Sequence, residues 1–297
     1  MFEQAFIEYV QFERRRSLHT VAAYRRDLEQ FVAFLSAEMG ASVPGNITHL
    51  MIRAWLVSLL ESGVTPRSVN RKLSAIKTYF HFLLREGHVQ KDPTLKVLAP
   101  KLSRKLPVFA EVGQLQNALD LHPFPEGYEG ILQRCLVEIL WATGMRRAEV
   151  LGLAYHAVDL SGGVLRVLGK GNKERMVPIA PALAARLEGY KTSRSAIAEA
   201  DGAFFRLPNG KPLYAAYVYR VVKHVLGAHT QLKKRSPHVL RHSFATHVLD
   251  AGADLNAIKT MLGHANLAAT QVYTHNTISK LRKVHGQAHP RGGAEES

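Results

Sequence analysis

SPHVLRHSFATHVLDAGADLNAIKTMLGHANLAATQVYTH, residues 236–275, is the stretch from which the rest of the chain is read. Ser236 suits a helix N-cap, and Pro237 suits the first turn, where a missing N–H costs nothing. His238 and Arg241 lie three apart and so share one helix face. That face is at the positive end of the helix dipole, where unpaired N–H groups favour an anion. Leu262-Gly263-His264 closes a second short helix, with Gly263 as its terminator, and Tyr273 follows on a third segment. Two histidines, an arginine and a tyrosine around one anion site are an odd set for a core. They are a fitting set for breaking a phosphodiester with tyrosine as nucleophile. Each also has a plainer reading: surface arginines and helix-end histidines are common, and most tyrosines pack. His242 and His247 point elsewhere and read as structural.

Upstream, WATGMRRAEVLGL (residues 141–153) breaks at Gly144, and a new helix begins near Arg146. Arg146 and Arg147 are both candidates for a phosphate contact, and spacing alone does not rank them. The plainer reading of Arg146 is an ion pair with Glu149. GVLRVLGKGNKERMVPIA (residues 163–180) alternates apolar and polar residues on both sides of a Gly-Lys-Gly-Asn-Lys turn, the pattern of a β-hairpin. Lys170 stands at its tip between two glycines; a lysine there is usually just solubilising. Lys173 and Arg175 crowd the same tip and are alternatives. The rest of this half reads as helices at 111–121, 128–142, 181–199 and 214–228, with a short extended piece around Phe204-Phe205 and Asn209-Gly210.

The first 90 residues read as four helices. Their apolar stripes are Phe2, Phe6, Tyr9 and Val10; then Val21, Tyr24, Leu28, Phe31, Val32 and Leu35; then Leu50, Ile52, Trp55, Leu56, Leu59 and Leu60; and last Val69, Leu73, Ile76, Tyr79, Phe80 and Leu83. The fourth starts on Thr65-Pro66 and stops at Gly87. Arg25, Arg26, Arg67, Arg71, Lys72 and Lys77 occupy the polar faces of the second and fourth helices. They are either a solvated surface or a phosphate-binding one. DPTLKVLAPKLSRKLP (residues 92–107) is a basic linker broken by prolines. The expected organisation is a helical domain over 1–91, a linker over 92–107, a second domain over 108–286 and a frayed tail over 287–297. The fold class is mainly α with a small antiparallel β-sheet.

Composition narrows the partner. The 297 residues are 46% apolar, enough for real cores, and carry a formal charge of +15. Residues 1–100 hold 13 Lys and Arg against 9 Asp and Glu, and the remainder hold 26 against 15. The excess is therefore spread over folded sequence, as a polyanion-binding surface would be, and not gathered in a tail. The single cysteine, Cys135, sits in an apolar run and reads as a small core residue. No basic-then-apolar leader and no apolar run near 18 residues, about the length needed to span a bilayer, is present, so a cytoplasmic setting is expected. No CxxC, HExxH or GxxxxGK[ST] pattern occurs, so neither a metal nor an ATP site is supported and no cofactor is expected.

Taken together, ATGMRRAEVLGL, GKGNKERMVPI, HVLRHSFATHVLDAGADLNAIKTMLGH and TQVYTH resemble the tyrosine recombinases, the phage integrase family, and most closely their Xer branch. The order and spacing match over the second domain, and the four-helix first domain is similar to that family's core-binding domain. The resemblance implies six catalytic positions: Arg146, Lys170, His238, Arg241, His264 and, as nucleophile, Tyr273. Arg147 departs from the aliphatic or small residue usual after the first arginine. The resemblance implies that Tyr273 forms a 3′-phosphotyrosine, that Arg146 and Arg241 stabilise the phosphate oxygens and that Lys170 protonates the 5′-oxygen. It further implies that His238 accepts the tyrosine proton and His264 hydrogen-bonds the phosphate. It implies a C-shaped clamp on double-stranded DNA; Arg25, Arg67, Arg71, Lys72, Lys77 and Lys173 are expected as DNA contacts from their charge and placement alone. Four protomers, alike or of two kinds, would act on two duplexes, with a DNA translocase as activator. Ile278, Leu281 and Val284 form a short apolar face that would dock in a neighbouring protomer, as the resemblance implies, or pack on its own domain. The expected role is dimer resolution at cell division. A mobile-element integrase, a type IB topoisomerase and a DNA-binding protein that never cleaves are the rival readings; the immediate start of the helices disfavours the first of these.

Overall fold

The computed structural model describes residues 2–40, 43–102, 108–169, 173–199 and 202–263. Lys170, His264, Tyr273 and the expected docking face of Ile278, Leu281 and Val284 lie outside the described residues, as does the tail over 287–297. The chain divides into two units, Met1–Lys105 and Leu106–Ser297. Among the described residues no helix is long and apolar enough to cross a membrane.

The first unit is a helical bundle. Helix α1 (Glu3–Glu8) runs into a π-helical turn over Tyr9–Glu13. Helix α2 (Leu18–Met39) begins where the Ser17 hydroxyl accepts the Thr20 N–H and ends at Gly40, whose φ of 60° no β-carbon penalises. Thr48 caps α3 (His49–Glu61) in the same way, and Thr65 caps α4 (Pro66–Arg85) ahead of a proline in its first turn. Their apolar stripes meet in a core of Phe6, Phe31, Ile52, Trp55, Leu73, Ile76, Phe80 and Leu83. Leu50 and Leu60 depart from the expected stripe: both point outward, 60% and 39% exposed. One turn of period 3.6 leaves such flanking positions on the boundary of the buried face.

Two expectations about this unit are corrected. Lys72 is not on a solvated face. It is buried and, with Arg71, holds the fully buried carboxylate of Asp27 on α2. The segment expected as linker is partly built into the bundle. Over Pro93–Lys96 it forms a 3-10 turn capped by Asp92, with Thr94 and Val97 buried, and the Asn70 side chain donates to the Pro100 carbonyl at 2.9 Å.

The second unit is organised around helix α6 (Gly127–Thr143). Every residue from Cys135 to Met145 is buried, so the C-terminal half of this helix is covered on all sides, its one carboxylate, Glu138, paired with Arg186. Burial pushes the Cys135 thiol up to about 12, and Glu138 pushes the same way, which fits an inert core residue. Around α6 lie α5 (Val112–Asp120), the short α7 (Arg147–Leu151), α8 (Pro181–Arg194), α9 (Ala215–His229) and α10 (Pro237–Asp250), followed by α11 (Leu255–Leu262). A three-stranded antiparallel sheet has the order β1 (Val158–Asp159), β2 (Val164–Leu168), β3 (Glu174–Pro178). The β2–β3 hairpin pairs Leu165 with Val177 and Val167 with Arg175. The extended piece expected near Phe204 is not a strand of this sheet. Its backbone is satisfied by Leu153 and by the buried Arg194 guanidinium, which donates to the carbonyls of Phe204 and Ala203.

Candidate active site

Arg146 stands at the N-cap of α7. Its backbone N–H donates to Glu149 Oε2 at 2.7 Å, and its guanidinium donates to Glu149 Oε1 at 2.8 Å and to the Gly263 carbonyl at 3.2 Å. The plainer reading, an ion pair with Glu149, is thus present, and Arg146 remains about one third exposed. Arg147, which spacing did not separate from it, is exposed at the surface.

Arg241 comes from α10. It donates to the Gly144 carbonyl at 2.6 Å and the Leu262 carbonyl at 2.7 Å. Gly144 ends α6 at φ 60°, and a β-carbon there would lie 2.4 Å from Phe244. Only glycine lets the chain turn this close to α10. Burial is the main cause that lowers the Arg241 pKa to about 10, with the charges of Arg146 and Arg175 adding to it. That value still leaves the guanidinium charged at neutral pH. His238 is exposed in the first turn of the same helix. Ser236 occupies the N-cap position with extended backbone, yet its hydroxyl makes no capping bond.

Arg175 is not at the hairpin tip. It is buried on β3 and donates to both oxygens of Glu149, at 2.9 and 2.8 Å, and to the Met261 carbonyl at 2.7 Å. The last three carbonyls before residue 264 therefore each accept from a different arginine: Met261 from Arg175, Leu262 from Arg241 and Gly263 from Arg146. These carbonyls form the negative end of α11, the end a cation stabilises. Burial alone would raise the Glu149 carboxyl; hydrogen bonds from Arg175 and from the Arg146 backbone, with the charge of Arg175, hold it below the usual carboxylate range. Three guanidiniums against one carboxylate leave an excess of positive charge, chemistry suited to a phosphate.

The other face of α10 is structural. His247 accepts from the Trp141 indole at 3.3 Å through Nδ1, so its Nε2 carries the proton toward the Ala110 carbonyl at 2.9 Å. Ser243 accepts the Ala110 N–H at 2.8 Å. His242 is half-buried beside Phe109.

The remaining candidates are basic residues for which the structure gives only exposure and local partners. Arg25, Arg67 and Lys77 are exposed on α2 and α4, Arg71 is about half exposed with its guanidinium paired to Asp27, and Lys173 is exposed beside the hairpin turn. Glu149 and Arg175 are the site residues that motif reading undervalued. The sequence held a signal for the second: in the strand ERMVP, Arg175 shares a face with the buried Val177, so period two places it inward.

The sequence model described as Phage integrase family matches residues 110–280, and that for the Phage integrase N-terminal SAM-like domain matches residues 4–87. Tyrosine recombinase XerC of Pelobacter propionicus is 38% identical, over 99% of this chain and 96% of that protein. Tyrosine recombinase XerD of Staphylococcus saprophyticus is 35% identical, over 97% of this chain and 98% of that protein. Among solved structures, the XerH site-specific recombinase bound to a palindromic difH substrate in a post-cleavage complex is similar in fold. The TM-score is 0.71 at 22% identity, covering 94% of this chain and 79% of that one.

Proposed function

The chain belongs to the phage integrase family, the tyrosine recombinases, and we propose that Arg146, Lys170, His238, Arg241, His264 and Tyr273 are its DNA-cleaving residues. The enzyme is a site-specific recombinase that breaks and rejoins DNA through a covalent intermediate. Tyr273 attacks the scissile phosphorus; its oxygen–phosphorus bond forms as the bond to the 5′-oxygen breaks. His238 takes the phenol proton and Lys170 supplies one to the departing 5′-oxygen. Arg146 and Arg241 neutralise charge on the non-bridging oxygens in the transition state, and His264 donates to the phosphate. The phosphotyrosine keeps the bond energy, so a 5′-hydroxyl from a partner strand reverses the step without ATP.

The observation that carries this reading is the convergence of Arg146 and Arg241, from separate helices, on the last turn of α11. They bond the Gly263 and Leu262 carbonyls, immediately before His264. A site of fixed cations next to the proposed nucleophile segment is what in-line displacement at phosphorus needs.

Double-stranded DNA is the partner in this reading. Arg25, Arg67, Arg71, Lys77 and Lys173 contact its backbone, with the helical unit and the catalytic unit on the same duplex; the buried Lys72 is withdrawn from that set. Four protomers on two duplexes resolve chromosome or plasmid dimers in the cytoplasm. The near full-length similarity to XerC and XerD proteins supports that role.

The test is a nicked suicide duplex carrying the recombination site. Wild-type protein is expected to form an adduct stable to denaturing electrophoresis, and Tyr273→Phe to form none while still shifting the DNA. An adduct formed by Tyr273→Phe places the nucleophile elsewhere.

A further inference from the structure

Resting on the reading that Arg146 and Arg241 hold the scissile phosphate, we infer that Arg175 is a positioning residue that holds Arg146 and the end of α11 in place without touching the DNA. Its contacts reach both. Through both oxygens of Glu149 it braces the carboxylate that fixes the Arg146 backbone and guanidinium. Through Met261 it ties down the final turn of α11, two residues before Gly263. Its guanidinium also packs against two glycines: a β-carbon at Gly263 would lie 3.3 Å from it and one at Gly169 3.5 Å. Gly263 directly precedes His264, and Gly169 directly precedes Lys170.

The chemistry of the group suits this task. A planar guanidinium has donors in a fixed fork, so it can span a carboxylate and a carbonyl in one geometry; a lysine ammonium cannot. At 7% exposure it is shielded from solvent and turned into the protein. Its charge also has a function. Glu149 is faced by Arg146 from α7 and Arg175 from β3, with the charge of Arg241 on α10 near both. Without Arg175 the buried carboxylate loses its strongest partner and its proton affinity rises. A protonated Glu149 would no longer accept from both the Arg146 backbone and its guanidinium, and Arg146 would leave its place.

The experiment measures single-turnover adduct formation on the suicide duplex against pH, with DNA affinity and thermal unfolding in parallel, for the full-length protein. Arg175→Met is expected to slow adduct formation about 100-fold, the usual cost of displacing a catalytic group by an ångström, at unchanged DNA affinity. Its acid limb is expected to move up by about one pH unit as Glu149 becomes easier to protonate. Arg175→Lys keeps the charge but not the fork, so it should recover the acid limb and not the rate; it decides the matter if Arg175→Met fails to fold. Cleavage at the wild-type rate by Arg175→Met, full rescue by lysine, or a slowed reaction with an unmoved acid limb would each overturn the inference. Absence of an adduct with wild-type protein, or its persistence in Tyr273→Phe, would instead overturn the underlying assignment.

Discussion

Asp27 shows how much one residue can decide. Its side chain is fully buried between α2 and α4, where Arg71 and Lys72 both donate to it. Arg71 is 47% exposed and can be solvated on its outer side, whereas Lys72 is only 10% exposed and has little recourse to water. Asp27→Ala therefore leaves a buried ammonium without its counter-charge, and is expected to cost about 3 kcal/mol, measured as a shift in the urea midpoint. Asp27→Ala with Lys72→Met should recover most of that loss. A single substitution within 0.5 kcal/mol of wild type, the range of an ordinary surface change, would show that the pair contributes no net stability. The same residue explains why charge alone misled for Lys72: a lysine written among arginines on a polar face reads as surface until its partner, 45 residues earlier, is known.

At the scale of elements, α5 and α9 enclose a group of imidazoles. His122, just past the end of α5, is buried with its ring centroid 5.1 Å from that of His224 and 5.5 Å from that of His229, both on α9. Burial first, and the two neighbouring rings second, lower the His122 pKa below its ordinary value. A histidine whose folded pKa is depressed binds its proton more readily in the unfolded chain. It therefore contributes stability above its unfolded pKa of about 6.5, and that contribution is lost as pH falls through the folded value. The melting temperature is expected to fall between pH 7 and pH 5, and to fall less in His122→Phe. Equal pH dependence in both proteins would remove His122 from the account. Helix α10 divides its labour differently: Arg241 bonds the Gly144 and Leu262 carbonyls, while Ser243 and His247 fasten Ala110. Its start was legible in SPHVLRH, because a proline in the first turn is a local signal, although the Ser236 hydroxyl makes no capping bond. The fastening was not, since Ala110 carries no side-chain signal.

For the whole molecule the charge of +15 is the dominant fact, and it is spread over both units. On the proposed function, each phosphate contact releases counterions. Affinity for a recombination-site duplex should fall about 10³-fold or more between 50 and 200 mM salt if six or more phosphates are engaged. Fluorescence anisotropy across that range checks it, and an affinity indifferent to salt would count against a phosphate-tracking surface.

The helix start at Thr65, the stops at Gly87 and Gly144 and the β2–β3 hairpin were all determined by the sequence by itself. Each depends on residues a few positions apart, whose propensities and periods act locally. Which arginine lies inside was decided only by the tertiary structure. Arg175 meets Met261 across 86 positions and Glu149 across 26, and Arg241 meets Gly144 across 97. Desolvation and pairing decide whether such a cation is buried, and those energies exist only once distant segments have closed around it.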